Sequence, residues 1–226
     1  MDSILEKNKE AYGKKSVLNF EHMYPESNVI RIHKKILLYK LGIAKGVLLD
    51  YGCANGIHTE YFAKNGYDSY GCDITNDSIK KAKELFPEMK DRFKVIDPKP
   101  NKDNFDRIYD IIFSHQVLYY LDDSNLKILI KQMYDHLNPG GIIIATMKGI
   151  QCYYYKNVVK TNREMSFVRL KGRLQEETWI NFMHSEAHLL SYFDEFEHIV
   201  IGEYRESFLM EEGTSHHYIY VGKKPK

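Results

Sequence analysis

Short apolar runs alternate with helical patterns along the first two thirds of the sequence. Apolar residues between 29 and 41 recur with the spacing of one helix face, and Gly42 ends that helix. The run VLLDY at 47–51 is typical of a strand that is buried on both faces. The alternation continues, with further strands expected at 67–72, 93–97, 109–114 and 142–147 and further helices at 57–65, 77–86 and 123–137.

This regular alternation predicts an α/β fold. Strands separated by helices form a parallel sheet with helices on both faces, and right-handed crossovers bring the loops after the strands to one edge. Beyond residue 147, the segment 148–183 has only weak periodicity, and 185–193 is typical of a short helix capped by Ser185. Alternating residues at 197–209 and 217–224 predict a closing pair of strands. We therefore expect a doubly wound, mostly parallel seven-stranded sheet.

Composition narrows the class of protein. With 43% hydrophobic residues, 28% charged residues and a net charge of +1, the 226-residue chain resembles a folded soluble domain and not a protein that coats nucleic acid. No apolar run reaches the roughly 18 residues that span a membrane, and the polar N-terminus lacks the apolar core of a signal peptide. The widely spaced cysteines predict no metal site and suit a reducing, cytoplasmic compartment.

A glycine turn, GCANG at 52–56, joins the first predicted strand to the next helix. Glycine is needed where φ is positive or where a side chain would collide with a ligand, and the N-terminus of the following helix favours an anionic group. A nicotinamide-binding turn would have the pattern G-x-G-x-x-G. Here Ala54 and Ile57 occupy the second and third glycine positions, so dinucleotide binding fits poorly.

The sequence VLLDYGCANG instead resembles the first motif of Rossmann-like S-adenosylmethionine-dependent methyltransferases. Leu48, Leu49, Asp50, Gly52 and Gly56 match the pattern hydrophobic-hydrophobic-Asp-x-Gly-x-Gly-x-Gly. Ala54 departs from it, but a methyl group is small enough for binding to survive. YDIIFSHQVLYYL at 109–121 resembles the fourth motif of the family and NPGGIII at 138–144 its turn into the fifth strand, so the resemblance covers about residues 28–147.

The resemblance implies S-adenosyl-L-methionine as cofactor, S-adenosyl-L-homocysteine as product, and a set of contacts to them. Asp50 is expected to help hold the methionine amino group, Asp73 to accept hydrogen bonds from the ribose hydroxyls, and Asp97 to face the adenine amino group. Each aspartate also has a structural alternative as a buried cap or loop residue. The remaining cofactor contacts expected are Gly52, Cys53, Ala54, Asn55, Gly56, Ile74, Ser114 and, from the N-terminal arm, Tyr12.

His115 is the candidate catalytic residue. It follows the fourth predicted strand and should face the cleft, and the usual pKa of histidine suits a general base near neutral pH. The alternatives are a hydrogen-bonded loop histidine or a contact to the methionine end of the cofactor. The other histidines considered, at 58, 184, 216 and 217, have no comparable placement.

The segment 148–173 carries seven basic residues against the single acid Glu164, and this family commonly inserts substrate-recognition elements after the fifth strand. A basic wall there would suit a phosphorylated or carboxylated acceptor. The alternative for this basic segment is a solvated surface stretch. Tyr153, Tyr154 and Tyr155 could stack on a ring of the substrate or cap the cleft, and ordinary packing is the alternative for them. The residues expected to contact substrate are Lys148, Tyr153, Arg163 and Arg169.

We therefore expect one methyltransferase domain over residues 1–226. Its parts would be an N-terminal helical arm (1–46), a cofactor-binding core (47–147), a substrate-recognition insert (148–193) and closing strands (194–226). The expected reaction is O- or N-methylation of a small anionic or sugar-like acceptor. The stretch YPESNVIRIHKKIL resembles a bacterial subgroup that accompanies capsule or surface-polysaccharide biosynthesis.

Two other functions stay open at this point. The first is an RNA or protein methyltransferase, but the Asn/Asp-Pro-Pro-aromatic signature of exocyclic-amine nucleic-acid enzymes is absent after the fourth strand, where this chain has SHQV. A non-catalytic cofactor-binding module would tend to lose the ribose acid or the glycine turn, and this chain keeps both. The sequence leaves the oligomeric state undetermined.

Overall fold

The computed structural model describes residues 4, 6–10, 24–100, 104–171 and 175–226, with the side chain of Glu212 left out. The expected site residue Tyr12 lies outside these ranges. Residues 6–10 are helical. The chain then enters α1 (Ser27–Ile32), which continues directly as a π-helical stretch, His33–Lys40. This is the helix predicted from Asn28, and Gly42 follows it with a positive φ of 67°.

A seven-stranded sheet forms the centre of the molecule, in the order β3-β2-β1-β4-β5-β10-β9. The first five strands pair in parallel, and β10 pairs antiparallel with both β5 and β9. This arrangement confirms the predicted doubly wound, mostly parallel sheet. The strands are β1 (Val47–Tyr51), β2 (Asp68–Asp73), β3 (Phe93–Val95), β4 (Tyr109–Ser114), β5 (Leu137–Lys148), β9 (Glu197–Glu206) and β10 (Ser215–Lys223).

Helices cover both faces of this sheet because alternate strand residues point to opposite sides. Ile111 and Phe113 of β4 belong to a buried cluster with α1 and with Phe62 of α2 (Ile57–Lys64). Ile112, between them in sequence, packs in the other large cluster with Leu126 and Leu129 of α4 (Asp123–Asp135). The remaining helical elements of the core are α3 (Asn76–Leu85) and two short 3-10 helices, Pro87–Arg92 and Leu118–Tyr120.

The segment after β5 folds as a second, three-stranded antiparallel sheet that the sequence pattern did not predict. A short helix, α5 (Tyr153–Lys156), precedes β6 (Val158–Thr161), β7 (Ser166–Arg169) and β8 (Glu177–Ile180). Three consecutive residues of β7, Ser166 to Val168, are buried, so the strand shows no alternation of polar and apolar residues. The predicted helix with Ser185 as its cap follows as α6 (Glu186–Leu190).

The small sheet lies against the carboxyl edge of the large one. Asn181 N donates to Tyr119 O in the loop after β4, and Met183 N donates to Lys148 O at the end of β5, each at 2.8 Å. Val168 and Ile180 of the small sheet are fully buried in the same cluster as α4. The insert therefore covers the edge where ligands bind in parallel sheets. Across the described ranges, no helix is long and apolar enough to cross a membrane.

Candidate functional site

The glycine turn after β1 has the backbone conformation that its residue types allow. Gly52 and Gly56 have φ values of 81° and 79°, and a Cβ atom on Gly52 would come within 2.3 Å of the Val117 side chain. Gly52 N and Cys53 N both donate to Cys72 O, at 2.8 and 2.9 Å, which fastens the turn to β2. Ala54, where the family motif has glycine, also has a positive φ of 47°. The alanine therefore keeps the turn in its left-handed form at a modest conformational cost.

Asp73, at the end of β2, fixes the turn from the other side. Its Oδ2 accepts a hydrogen bond from Ala54 N at 3.1 Å, and its Oδ1 accepts from the backbone N and the hydroxyl of Thr75 at 2.8 and 2.6 Å. Burial raises the pKa of the Asp73 carboxyl, and these hydrogen bonds oppose that rise. The side chain thus holds a partly buried carboxylate at the mouth of the turn.

Asp50 lies below the turn and is 1% exposed. The hydroxyl of Thr59 donates to its Oδ2 at 2.8 Å, so α2 is connected to the end of β1. Burial is the largest influence on this carboxyl and raises its pKa to about 7, against the opposing effect of Thr59. Asp50 does not itself line the cavities described next.

Three cavities follow one another along the carboxyl edge of the sheet. The apolar cavity, of about 700 Å³, includes Ile74, Ile96 and Pro98 in its wall. The central cavity measures about 1130 Å³, including the part open to solvent, and the outer cavity about 820 Å³. The apolar and central cavities share Gly52, Ala54, Asp73, Val117 and Tyr120, and the central and outer cavities share Glu26, Gln116, Lys148 and Tyr154. The glycine turn and Asp73 therefore lie where the first two cavities meet.

His115 lines the central cavity, and its ring contacts the side chains of Glu26, Gln116 and Thr146. Its Nε2 lies 3.1 Å from Glu26 Oε2, and its Nδ1 lies 3.2 Å from the hydroxyl of Thr146 on β5. Gln116 Nε2 also donates to Glu26 Oε2 at 3.0 Å. The His115 side chain is 2% exposed, whereas that of Glu26 is 44% exposed. The sequence pointed to the histidine but not to Glu26, because the two residues are 89 positions apart.

Lys148, at the end of β5, is buried between aromatic rings. Its Nζ lies 3.7 Å from the ring centroid of Tyr154 and 5.2 Å from that of Tyr119. Tyr154 is fixed in turn, because its hydroxyl donates to Glu176 Oε2 at 2.6 Å. Burial, and then the charge of Glu176, raise the pKa of Tyr154 far above its usual value. A cation is thus placed in the wall shared by the central and outer cavities.

The structure brings most of the predicted site residues to this edge. Residues 52–55 of the glycine turn, Asp73, His115 and Lys148 line the central cavity, Ile74 lines the apolar cavity and Tyr153 the outer cavity. Asp97 is half-buried, and its Oδ1 accepts from Lys99 N. Ser114 is buried, and its hydroxyl donates to Tyr51 O. Six predicted residues of the described ranges line none of the three cavities: Asp50, Gly56, Asp97, Ser114, Arg163 and Arg169.

The two distal arginines lie on the exposed side of the insert. Arg163 is exposed in the turn between β6 and β7, and Arg169 Nε donates to Glu177 Oε1 across the β7–β8 pair. In contrast, His58 and His217, to which the sequence gave no role, line the central and outer cavities, respectively. The histidines were missed because their positions in the chain give no sign of the edge at which they meet.

The combination of turn and cavities fits S-adenosylmethionine. The left-handed turn places backbone N–H groups at the start of α2, where an anionic group is favoured. The apolar cavity beside it suits a flat aromatic base, and Asp73 lies between the turn and this cavity, as a ribose-binding acid must. Among the described residues, no cluster of histidine, cysteine and acidic side chains has the composition of a metal site.

Comparison with known proteins agrees with this geometry. A family model described as a methyltransferase domain matches residues 22–197. A curated relative, the probable S-adenosyl-L-methionine-dependent methyltransferase TehB of Haemophilus influenzae, is 29% identical over 122 residues, which are 53% of this chain and 43% of the relative. The match thus spans less than half the length of that relative.

Solved structures show the same fold at low sequence identity. The N-methyltransferase NodS of Bradyrhizobium japonicum, in complex with S-adenosyl-L-homocysteine, has a TM-score of 0.64 and 15% identity over 97% of this chain and all of NodS. The 1,6-didemethyltoxoflavin-N1-methyltransferase of Burkholderia thailandensis has a TM-score of 0.63 and 14% identity, covering 96% of this chain and 88% of that one. Since the family model spans most of the sequence, the chain belongs to the Rossmann-like, S-adenosylmethionine-dependent methyltransferases.

Proposed function

We propose that this protein transfers a methyl group from S-adenosylmethionine to a small-molecule acceptor bound in the central cavity. The observation that supports this most directly is the continuity of the cleft. It runs from the apolar cavity, past the glycine turn and Asp73, to a region lined by His115 and Lys148. A donor on one side of the turn and an acceptor on the other would meet at the turn.

The chain offers suitable partners for each part of the cofactor. Ile74, Ile96 and Pro98 would pack against the adenine ring, and Asp73 would accept from the ribose. The backbone amides at the start of α2 would receive the methionine carboxylate, since Gly52, Cys53, Ala54 and Gly56 already donate their amides within the protein. Once bound, the cofactor supplies an electrophilic methyl group on a positively charged sulfur, so positioning accounts for much of the rate.

His115 is suited to remove a proton from the acceptor heteroatom. It faces the central cavity, and because its Nδ1 is bonded to Thr146, the acceptor would take the place of Glu26 at Nε2. The displaced carboxylate of Glu26 would stay close enough to stabilise the imidazolium that forms. Thr146 and Gln116 hold the ring and the carboxylate in place. We assign the base role to His115 and the positioning role to Glu26.

A small acceptor carrying a negative charge suits the remaining walls. Lys148 is the buried cation of the cleft wall, and Tyr119 and Tyr154 flank it with planar surfaces. The insert sheet would act as the substrate-recognition part of a single domain, covering the cleft opposite the core at 47–147. A role in surface-polysaccharide biosynthesis stays a prediction of the stretch YPESNVIRIHKKIL alone.

Isothermal titration with S-adenosylhomocysteine tests the cofactor assignment. Asp73→Ala and Asp73→Asn should each weaken binding at least about tenfold, since a hydrogen bond to a charged group contributes about 1.5–3 kcal/mol. Asp77→Ala, which removes an exposed acid from the neighbouring helix α3, is the matched control and should bind like the wild type. No binding by the wild type, or equal binding by the Asp73 variants, would contradict the proposal.

Turnover is tested by incubating the protein with S-adenosylmethionine and each member of a panel of small carboxylated alcohols and amines, and by measuring the S-adenosylhomocysteine that forms. His115→Asn should keep its affinity for S-adenosylhomocysteine and lose about a hundredfold or more in rate, the usual contribution of a general base. An unchanged rate in His115→Asn would refute the assigned base. Turnover on RNA or protein, with none on the panel, would refute the small acceptor.

A further inference from the structure

One row of cross-strand neighbours ends at the outer cavity. His217 on β10 lies opposite Lys148 on β5 and, on its other side, opposite Tyr204 on β9. Directly opposed residues in antiparallel strands project from the same face, with their Cβ atoms about 4.5–5.5 Å apart. The Tyr204 and His217 rings stack with centroids 5.0 Å apart and an interplanar angle of 25°. The sheet therefore holds the imidazole beside the Lys148 side chain.

The imidazole of His217 is buried without hydrogen bonds. It is 2% exposed, and neither Nδ1 nor Nε2 has a partner in the part of the chain that the structure describes. Leaving one buried polar atom unpaired costs about 1–3 kcal/mol, and a native structure normally avoids this. Burial lowers the pKa of His217 well below its usual value, with a further contribution from the charge of Lys148. The ring is thus neutral, with one N–H donor to offer.

The adjacent histidine shows that the surroundings can satisfy an imidazole. Gln151 N donates to His216 Nδ1 at 3.1 Å, and His216 Nε2 lies 3.2 Å from Glu203 Oε2. His216 is therefore fixed within the protein, whereas His217 turns to the other side of the strand and lines the outer cavity. The unsatisfied nitrogens of His217 point to a ligand of that cavity.

Lys148 connects this position to the reaction site. It lines both the outer and the central cavity, and the central cavity also holds His115. A group placed between Lys148 and His217 would belong to a molecule that reaches the central cavity. Glu26 and Glu206 also line the outer cavity and repel any anion there, so a doubly charged phosphate is disfavoured about twice as strongly as a singly charged carboxylate.

We propose that Lys148 and His217 form a subsite for a carboxylate group of the methyl acceptor. This inference rests on the proposed function and adds the chemical class of the substrate to it. One carboxylate oxygen would accept from the Lys148 ammonium and the other from the His217 N–H. The rings of Tyr119, Tyr154 and Tyr204 favour a planar group next to the carboxylate, such as an aryl ring or a conjugated chain.

Benzoate is the probe, titrated into the full chain saturated with S-adenosylhomocysteine. Benzyl alcohol is the neutral match, phenyl phosphate is the dianionic match, and the ¹⁵N shifts of the histidine rings are the readout. Benzoate should move the His217 signals and bind at least tenfold more tightly than either match. Lys148→Met and His217→Phe should each lose at least tenfold in benzoate affinity. Lys80→Met, an exposed lysine of α3, should lose none.

Two measurements distinguish an incorrect subsite from a misfolded variant and from an incorrect proposed function. His217→Phe keeps a ring in the stack and removes the unpaired nitrogens, so its melting temperature should rise by about 2–4 °C, equivalent to roughly 1 kcal/mol in a chain of this size. Wild-type binding of S-adenosylhomocysteine reports on the proposed function independently. Benzoate binding that is unchanged in His217→Phe and Lys148→Met, or is matched by benzyl alcohol or phenyl phosphate, would overturn the subsite.

Discussion

Two residues in and next to the glycine turn, Ala54 and Asp50, have a conformation or a position that costs stability. Ala54 takes a positive φ that suits glycine, and Asp50 keeps a carboxyl group away from water. The first was visible in the sequence as a departure from a motif. The place of Asp50 in the motif was visible only through the family resemblance, and its burial became visible only in the fold. Such conformations are tolerated because the surrounding turn is fixed by β2 and Asp73.

The pH dependence of the free energy of unfolding should reveal the titration of the Asp50 carboxyl. Its pKa is raised from 3.8 to about 7, so the folded protein binds more protons than the unfolded chain between these values. Stability that is present below about pH 4 is therefore lost as the pH rises through about 7. The shift corresponds to a loss of the order of 4 kcal/mol, and Asp50→Asn, which cannot ionise, should not show it.

Urea denaturation between about pH 4 and pH 8 measures this difference, most of which falls between about pH 4 and pH 7. The wild type should lose stability relative to Asp50→Asn across the range. Asp77→Asn, which alters an exposed acid of α3, should follow the wild-type curve. Parallel curves for the wild type and Asp50→Asn would show that Asp50 does not titrate in this range.

At the scale of elements, the helical residues 6–10 are attached to the insert by Asn8. This side chain is 4% exposed. Its Nδ2 donates to Tyr120 O and Trp179 O, both at 3.1 Å, and its Oδ1 accepts from the Thr178 hydroxyl and Trp179 N, both at 3.0 Å. Asn8 also lines the apolar cavity assigned to adenine. One amide thus joins the N-terminal arm, the insert and the cofactor site.

Asn8→Ala should therefore weaken two properties together. It removes four hydrogen bonds, two of them buried and two partly buried, which predicts a loss of about 2–4 kcal/mol in stability. Because the same residue forms part of the cavity wall, affinity for S-adenosylhomocysteine should fall at least severalfold in calorimetric titration. Glu10→Ala, an exposed residue of the same segment, is the control. A stability loss with unchanged cofactor affinity would limit Asn8 to a structural role.

The sequence predicted those strands and helices in which the spacing of apolar residues within the element itself shows its type. The strand and helix periodicities of the core predicted the parallel sheet and its glycine turn, with bounds that differ from the observed ones by a few residues. β7 has three consecutive buried residues and so lacks the period of a half-exposed strand. The fifth strand begins at Leu137, which pairs with Tyr109 of β4, and the pairing with β4 is interrupted over residues 138–141 before it resumes at Ile142.

At the scale of the whole molecule, the candidate site depends on contacts that no local pattern records. Asn8 meets Thr178 across 170 positions, and Glu26 meets His115 across 89. His217 belongs to a strand that the sequence predicted, but its place beside Lys148 follows from the register of β10 on β5. The motif thus predicted the cofactor, and the acceptor side had to come from the fold.

The same long-range contacts predict that the chain unfolds as one unit. The largest buried cluster includes Leu49 of β1, Leu126 of α4, Val168 of β7 and Tyr220 of β10, so core, insert and closing strands share one interior. The single tryptophan, Trp179, lies in β8 and reports on the insert. Its fluorescence should therefore change at the same urea concentration as the far-ultraviolet circular dichroism of the whole chain.

Unfolding in the presence of S-adenosylhomocysteine tests the same prediction in a second way. S-adenosylhomocysteine at a hundred times its dissociation constant should add about 2.7 kcal/mol to the free energy of unfolding and shift both transitions equally. Asp73→Asn, at the same ligand concentration, should show a smaller shift in both. An earlier transition for Trp179 that the ligand leaves in place would mean that the insert is an independent unit. The acceptor subsite would then not be coupled to the cofactor site through the shared core.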